Sequence, residues 1–236
     1  MTTTPKVSVD TEGFVSWALL DRTSGKIVGS DNHAAQSTTA SMIKAWLASD
    51  YLRMAAARGV TPNESALHDL EIMIRDSDNA AAAKIFAANG RTASIRRLIS
   101  ICGLTDSTVV PNEWGTTRVS ARDAVRMGSC IAAGKAAGAT WTPWVLNAMR
   151  EVRGDGDFGI RDALPAATAA TVAIKNGWLL RDEDNHWHVS CLAIGDSWVM
   201  SVLQRYPSTG DVEGDFAHTR DICERIAAQV LPSTGR

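Results

Sequence analysis

Strand and helix patterns occupy separate parts of this chain. An apolar run over residues 14–20 ends at the turn D-R-T-S-G-K, and a short return strand over 26–30 completes a hairpin. From 37 to about 133 the apolar residues instead recur with a period near 3.6, which is typical of helices. After Pro165 the strand pattern returns. The simplest packing joins the two strand regions in one antiparallel sheet and sets the helical block beside it as a second lobe.

The central block contains several Ala-rich amphipathic segments. Periodicity and Gly or Pro breaks predict helices over these segments: Ser41–Ala57, Glu64–Arg75, Asn79–Ala88, Ala93–Ile101 and Ala121–Ala133. The late strands read T-V-A-I-K-N-G-W-L-L, H-W-H-V-S-C-L-A-I and W-V-M-S-V-L-Q-R-Y, and a final helix is expected from about Val212 to Val230. The prediction is an α+β protein whose sheet has five antiparallel strands, with a cleft between its two lobes.

Composition excludes some partners. Lys and Arg total 24 against 26 Asp and Glu, and no basic stripe is present, so no nucleic-acid partner is expected. No apolar run is long enough to span a bilayer. Residues 1–5 lack the regions of a signal peptide, so the protein is either cytoplasmic or begins here after a removed export signal.

Cysteine and histidine spacing gives no metal motif. The four cysteines, Cys102, Cys130, Cys191 and Cys223, form no C-x-x-C pair. We interpret them as buried thiols, with one disulfide as the alternative in an exported protein. His186 and His188 share a strand face but have no visible third ligand, so neither a metal nor another cofactor is expected.

Ser41 and Lys44 form an S-x-x-K motif at the start of a helix. Backbone N–H groups there have no intrahelical partner and the helix dipole favours negative charge, which suits a nucleophile that must stabilise an oxyanion. Lys44 returns to the same face at i+3, and an apolar cleft would lower its pKa so that a neutral amine could act as a base. S-x-x-K is common by itself, and a lysine extending from an ordinary amphipathic helix is the alternative.

Two later motifs add specificity. S-D-N over 77–79 lies between two predicted helices, and K-N-G over 175–177 lies on a predicted strand. In this order, S-x-x-K, S-D-N and K-N-G resemble the signature of class A β-lactamases and penicillin-binding proteins. The resemblance covers almost the whole chain, including D-R-T-S-G-K, G-L-T-D-S and G-D-G-D-F-G-I-R-D-A-L-P.

The resemblance implies a β-lactamase/transpeptidase-like fold: the five-stranded antiparallel sheet flanked by terminal helices, plus a reduced all-helical lobe. One catalytic domain would span 1–236, with a sheet lobe at about 6–36 and 165–236 and a helical lobe at about 37–164. It also implies a monomer without a cofactor, and export to the cell envelope.

An acyl-enzyme mechanism is what the resemblance implies for the site. Ser41 would attack the carbonyl of a β-lactam or D-alanyl peptide, and Lys44 would help to deprotonate the Ser41 hydroxyl. Ser77 would pass a proton to the leaving nitrogen, while Lys175 would keep that site cationic.

The same resemblance implies the substrate contacts. Asn79 would hold the substrate's amide side chain, and the backbone N–H groups of Ser41 and Trp178 would form the oxyanion hole. Gly177 fits close approach of a ligand to a strand, and Lys175 would attract the substrate carboxylate.

Three departures from the family pattern bear on function. Asn176 replaces the usual Thr or Ser, which indicates either a tolerated variant or a different acid group on the substrate, and bulky Trp178 favours the second. E-x-x-L-N is absent, and Glu113 in V-P-N-E-W-G-T-T is either the deacylating base or a solvated loop carboxylate. Only 36 positions separate Ser41 from Ser77, which is shorter than the family's usual interval. The helical lobe is therefore reduced, and a more open cleft and a larger substrate are expected.

His188 is the nearest candidate for a cation that binds the substrate carboxylate, with Arg181 a weaker one; the alternative is a surface histidine. Three functions remain open. The first is a β-lactamase-like serine hydrolase, and the second is a D-alanyl peptidase, penicillin-binding protein or secondary-metabolite acyl hydrolase that releases β-lactams slowly. The third is a non-catalytic binding protein.

Overall fold

The computed structural model describes residues 6–231. Both ends of the chain contribute to one antiparallel sheet in the order β2-β1-β8-β7, with β5 and β6 one after the other along the outer edge of β7. Its strands are β1 Phe14–Asp21, β2 Ile27–Gly29, β5 Ala173–Ile174, β6 Gly177–Arg181, β7 His186–Ile194 and β8 Trp198–Pro207. The hairpin and the late meander therefore meet through β1 and β8, as the sequence predicted.

The predicted first strand of the meander is interrupted. It forms β5 and β6, and both pair with β7. A second departure is a small sheet of two strands, β3 Gln36–Thr38 and β4 Arg118–Ser120, which strand patterns of three residues are too short to reveal.

Eight α-helices accompany the sheets in the described part of the chain. They are α1 Lys44–Ala57, α2 Glu64–Arg75, α3 Asn79–Ala88, α4 Thr92–Cys102, α5 Ala121–Ala132, α6 Thr142–Arg150, α7 Ala166–Ala169 and α8 Val212–Val230. Local signals set several boundaries: the Asn63 side chain accepts from the Ala66 N–H at the start of α2, and Asp211 caps α8 in the same way. Residues 6–13 form no helix, so α8 is the terminal helix that the structure describes.

The sheet is covered on both faces. Helix α8 contacts β7 and β8, and α5 contacts β1, β7 and β8. This explains why β7 and β8 read as almost continuous apolar runs, since nearly all of their residues are buried. Helix α1 lies inside the helical lobe and is itself largely buried. Within residues 6–231, no helix combines the length and the apolarity that a bilayer crossing requires.

All four cysteines form disulfides, which corrects their interpretation as thiols. Cys102 at the end of α4 pairs with Cys130 in α5, and Cys191 in β7 pairs with Cys223 in α8. Each bond joins elements about thirty residues apart, so their pairing depends on tertiary packing rather than on any local motif.

Candidate active site

Ser41 lies in a 3₁₀ turn, Ala40–Ile43, that leads directly into α1. The preceding Ala40 has a φ of 41°, a left-handed conformation that non-glycine residues rarely adopt, and its N–H donates to the Gly115 carbonyl at 2.8 Å. Gly177 backs the same turn closely. A Cβ at this position would lie 2.3 Å from the Ser41 backbone nitrogen, so only glycine permits this contact.

Lys44 is completely buried at the first position of α1. Its Nζ donates to the Ser77 carbonyl, to Asn79 Oδ1 at 2.7 Å and to Ser77 Oγ at 3.3 Å, and it lies 5.0 Å from the centre of the Trp114 ring. Burial lowers the pKa of Lys44 to about 8, although the charge of nearby Asp78 opposes that shift. About a tenth of this lysine is therefore neutral at pH 7, and about half at pH 8.

The turn between α2 and α3 carries Ser77. Its φ of 59° is again left-handed, and the Asp78 side chain accepts from the Ala81 N–H at 2.7 Å to cap α3. This turn directs the Ser77 hydroxyl toward both lysines. Lys175 Nζ donates to Ser77 Oγ at 3.0 Å, and Lys44 Nζ approaches the same oxygen from α1.

Lys175 lies in the break between β5 and β6 and is fully buried. Burial, and then the charge of Lys44, lower the pKa of Lys175 well below its usual range. The two ammonium groups beside one hydroxyl therefore do not both remain fully charged. This electrostatic coupling weakens the expectation that Lys175 simply keeps the site cationic.

These side chains adjoin an open cleft of about 310 Å³. Ser41, Ser77, Asn79 and Trp178 are among its lining residues, so the structure brings these predicted residues together. The Trp178 ring faces the covered side of the sheet, where it packs against Phe158 and Phe216.

Asn176 is not among the residues that line the cleft, and its role in binding substrate stays a prediction. The side chain is 1% exposed, and its Nδ2 donates to the carbonyls of Gly156 and Phe158 at 3.1 and 2.6 Å. Its Oδ1 accepts from the Leu192 N–H of β7 at 3.3 Å, in the interval where β5 and β6 are interrupted. Asn176 thus holds the 156–158 segment against the sheet.

Glu113 is exposed and is not among the residues that line the cleft, so its catalytic role stays a prediction. Its carboxylate accepts from the Thr116 hydroxyl at 2.7 Å within the same loop. The next two residues, Trp114 and Gly115, line the cleft in its place. Adjacent loop residues point in different directions, which spacing along the sequence does not reveal.

His188 and Arg181 line a neighbouring cavity and not the cleft, so substrate binding by His188 stays a prediction. The imidazole contacts the Thr38 hydroxyl and the Asp184 carboxylate, each at 3.1 Å. Among the described residues, no group of three or more His, Cys, Asp or Glu side chains is arranged to hold a metal ion.

Sequence reasoning missed an ion pair at the cleft rim. Asp76 accepts from the Arg153 Nε and Nη2 at 2.5 and 3.0 Å, and these hydrogen bonds lower the pKa of Asp76 below its usual range. Asp155 lines the same rim. Asp76 and Arg153 lie beside motifs noted in the sequence, S-D-N and G-D-G-D-F-G. Only the tertiary structure shows that their side chains meet at the rim of the cleft.

Replacing Asn176 with alanine should lower the free energy of unfolding by about 2–3 kcal/mol, because buried carbonyl groups would lose their donors. Urea unfolding followed by circular dichroism measures this change. Asn147→Ala is the matched control, since Asn147 is exposed and should change stability by less than about 0.5 kcal/mol. If Asn176→Ala left stability unchanged but abolished acylation, the result would favour substrate binding by Asn176.

Comparisons with known proteins identify a family and related structures for this chain. Residues 64–232 match the model of the beta-lactamase enzyme family. The protein described as "Putative lipoprotein LppW" from Mycobacterium tuberculosis (strain ATCC 25618 / H37Rv) is 30% identical over 195 residues, which cover 77% of this chain. Because those residues cover 59% of LppW, this chain spans about three fifths of the length of that relative.

Two solved structures have the same fold. The class A beta-lactamase from Mycobacterium abscessus superposes with a TM-score of 0.70 at 16% identity, over 91% of this chain and 92% of that one. PBP-A superposes with a TM-score of 0.70 at 17% identity, over 92% of this chain and 88% of that one. The superpositions establish the fold, the family model establishes the relationship, and the chain therefore belongs to the beta-lactamase enzyme family.

Proposed function

We propose that this protein forms an acyl-enzyme at Ser41 with β-lactams or related amides such as D-alanyl peptides, and that it deacylates slowly. The observation that carries the proposal is the Ser77 hydroxyl, which lies 3.3 Å from Lys44 Nζ and 3.0 Å from Lys175 Nζ beside the cleft that Ser41 lines. A hydroxyl between two buried amines is suited to moving a proton to a leaving nitrogen.

In the proposed acylation, the neutral amine of Lys44 accepts the proton of the Ser41 hydroxyl as Oγ bonds to the substrate carbonyl carbon. The N–H groups of Ser41 and Trp178 stabilise the oxyanion that develops. When the C–N bond breaks, Ser77 donates its proton to the leaving nitrogen and recovers one from a neighbouring lysine. The product is an ester between Ser41 and the acyl group, and no proton is gained or lost.

A purely binding protein is the less favoured alternative. A binding module has no need to bury two lysines against one serine hydroxyl, because burial of each amine opposes its charge. Left-handed backbone at both Ala40 and Ser77 also concentrates strain beside the reacting groups, which is common at catalytic sites.

Slow deacylation is favoured over rapid hydrolysis by the loop over 111–117. Its carboxylate, Glu113, faces solvent, while Trp114 lies over Lys44 and lines the cleft. An indole cannot accept the proton of an attacking water. Without a base at this wall, the Ser41 ester would persist until another acceptor reached it, as in a penicillin-binding protein.

We place this activity in one catalytic domain in an oxidising compartment. The cleft takes Ser41 and Ser77 from the helical lobe and Trp178 from the sheet lobe, which favours a single functional unit. Two disulfides favour export, since such bonds persist outside the reducing cytosol. The description of the relative LppW as a lipoprotein favours the cell envelope.

Intact-mass spectrometry after mixing with benzylpenicillin should reveal one lasting adduct per chain. Ser41→Ala should give none, while Ser24→Ala, on the exposed turn after β1, should label as the wild type does. A chromogenic cephalosporin should give a burst of about one equivalent of colour. Steady colour over many turnovers would favour a β-lactamase, and absence of both adduct and colour would contradict β-lactam acylation.

A further inference from the structure

A second cavity, of about 190 Å³, lies beside the cleft. Two segments of the chain line both spaces. On one, Ala40 lines the cleft and Thr38 lines the second cavity; on the other, Leu179 lines the cleft and Arg181 lines the second cavity. Residues two apart on a strand share a face and are separated by roughly 7 Å. The cleft and the second cavity are therefore neighbours along β6, on which Leu179 and Arg181 both lie.

Three arginines, Arg118, Arg181 and Arg205, line the second cavity. Arg205 of β8 stacks on Phe14 of β1, with the guanidinium carbon 4.4 Å from the ring centre. Its Nε is buried without a hydrogen-bond partner in the described structure. Arg118 of β4 has an exposed guanidinium that makes no ion pair or hydrogen bond with residues 6–231. Stacking fixes the plane of the Arg205 guanidinium, which makes no ion pair or hydrogen bond with residues 6–231.

Ser37 supplies a second sign of an unfilled polar site. It lines the cavity and is only 3% exposed, yet its hydroxyl has no hydrogen-bond partner among the described residues. Buried polar groups in folded proteins are nearly always hydrogen-bonded. A ligand that accepts from this hydroxyl and from the guanidinium edges would satisfy them together.

The acids of the cavity are already engaged. Glu183 pairs with Arg181 at 2.9 Å, and Asp184 accepts from His188 Nε2 at 3.1 Å. Burial lowers the pKa of His188, so near neutral pH this imidazole adds little charge. The guanidinium groups of Arg118 and Arg205 are left without carboxylate partners among residues 6–231, and the cavity as a whole is positive.

We propose that this cavity binds an oxyanion, a carboxylate or a phosphate, through Arg118, Arg205 and the Ser37 hydroxyl. Planar guanidinium groups bind both anions through paired N–H donors. Its use in the working protein rests on the proposed function: the oxyanion is then an acidic branch of the substrate whose amide is bound beside Ser41. The cavity thereby selects acidic acyl donors over neutral ones.

Binding is tested with inorganic phosphate at constant ionic strength, by following the arginine Nε–H signals of ¹⁵N-labelled protein. The Arg205 signal should shift and saturate, and Arg118→Gln should raise the Kd for phosphate about tenfold, since a charged hydrogen bond is lost. Arg205→Gln should act similarly, followed through the Arg118 signal. Arg225→Gln, at an exposed pair on α8, should leave the Kd unchanged. A signal that does not move, or a Kd that Arg118→Gln leaves unchanged, overturns the site.

Acylation by two synthetic D-alanyl thioesters tests the source of the oxyanion. They differ only in carrying a free carboxylate or its primary amide on a side branch. The acid should acylate Ser41 faster in the wild type, and Arg118→Gln should abolish that preference. Equal rates with phosphate still bound would support the site but overturn its use for substrate. Failure of both thioesters and of benzylpenicillin to acylate would contradict the proposed function, while the phosphate titration would still decide the site.

Discussion

Lys44→Met should slow the acylation of Ser41 by about a thousandfold, since a positioned general base contributes roughly 10²–10⁴ to a rate. Methionine fills a similar volume but cannot accept a proton. It also removes the cost of burying an amine, so the variant should fold, and circular dichroism can verify this. The control is Lys84→Met, because Lys84 is exposed and pairs with Asp69 on the helical surface. Wild-type rates in Lys44→Met would exclude Lys44 as the base.

The wild-type rate should depend on pH in a defined direction. The pKa of Lys44 is lowered to about 8, and the neutral amine is the active form. The logarithm of the acylation rate should therefore rise with a slope near one up to about pH 8 and level off above it. Rates measured from about pH 6 to 10 with a chromogenic cephalosporin check this profile, and a flat profile would contradict it.

Lys175 provides the necessary comparison, because the pKa of that amine is also lowered. If Lys44 is the base, the inflection should persist in Lys175→Met even though the rate falls. Loss of the inflection in Lys175→Met alone would transfer the basic role to Lys175. Coupled groups share their titration steps, so both variants are needed for the assignment.

Replacing Cys191 and Cys223 with alanine should lower the free energy of unfolding by about 3–4 kcal/mol. This disulfide ties the central strand β7 to the covering helix α8 across a sequence separation of 32 residues. Its loss releases a loop in the unfolded chain. Removing the sulfur atoms also loosens the packing around Gly159, where an added Cβ would lie 3.2 Å from Cys191 Sγ.

Urea unfolding of oxidised protein measures this loss. Ser129→Ala, on α5 beside Cys130, is the control that should leave the midpoint unchanged. A reductant should also destabilise the double variant less than the wild type, because the double variant has already lost the Cys191–Cys223 bond. An unchanged midpoint in the double variant would contradict the presence of the disulfide in solution, and with it one argument for an oxidising compartment.

Local patterns predicted the helices well because their signals are local. The predicted bounds of α2, α3 and α8 agree with the structure, since each has an apolar period and a capping side chain within one turn. The joining of the hairpin to the late strands followed from the need to bury two apolar sheet regions together. The fold class was thus predictable from the order of elements and the three motifs.

Loop directions were not predictable in this way. Glu113 and Trp114 are adjacent, yet one faces solvent and the other the cleft, because the loop over 111–117 is anchored to the turn at Ala40. The hydrogen-bond partners of Asn176 were unpredictable for a similar reason. Its partners, Gly156 and Phe158, lie 20 and 18 positions away, and no pattern within the strand indicates them.

The sequence by itself determined the order of the main strands and helices, the family motifs and the residue types of Ser41, Lys44, Ser77 and Lys175. These features depend on side-chain periodicity and residue type, which are properties of short segments. Only the tertiary structure decided which cysteines pair, which loop residue reaches the cleft and that arginines gather in a second cavity beside it. Those outcomes depend on distances between segments far apart in the chain, which packing alone sets.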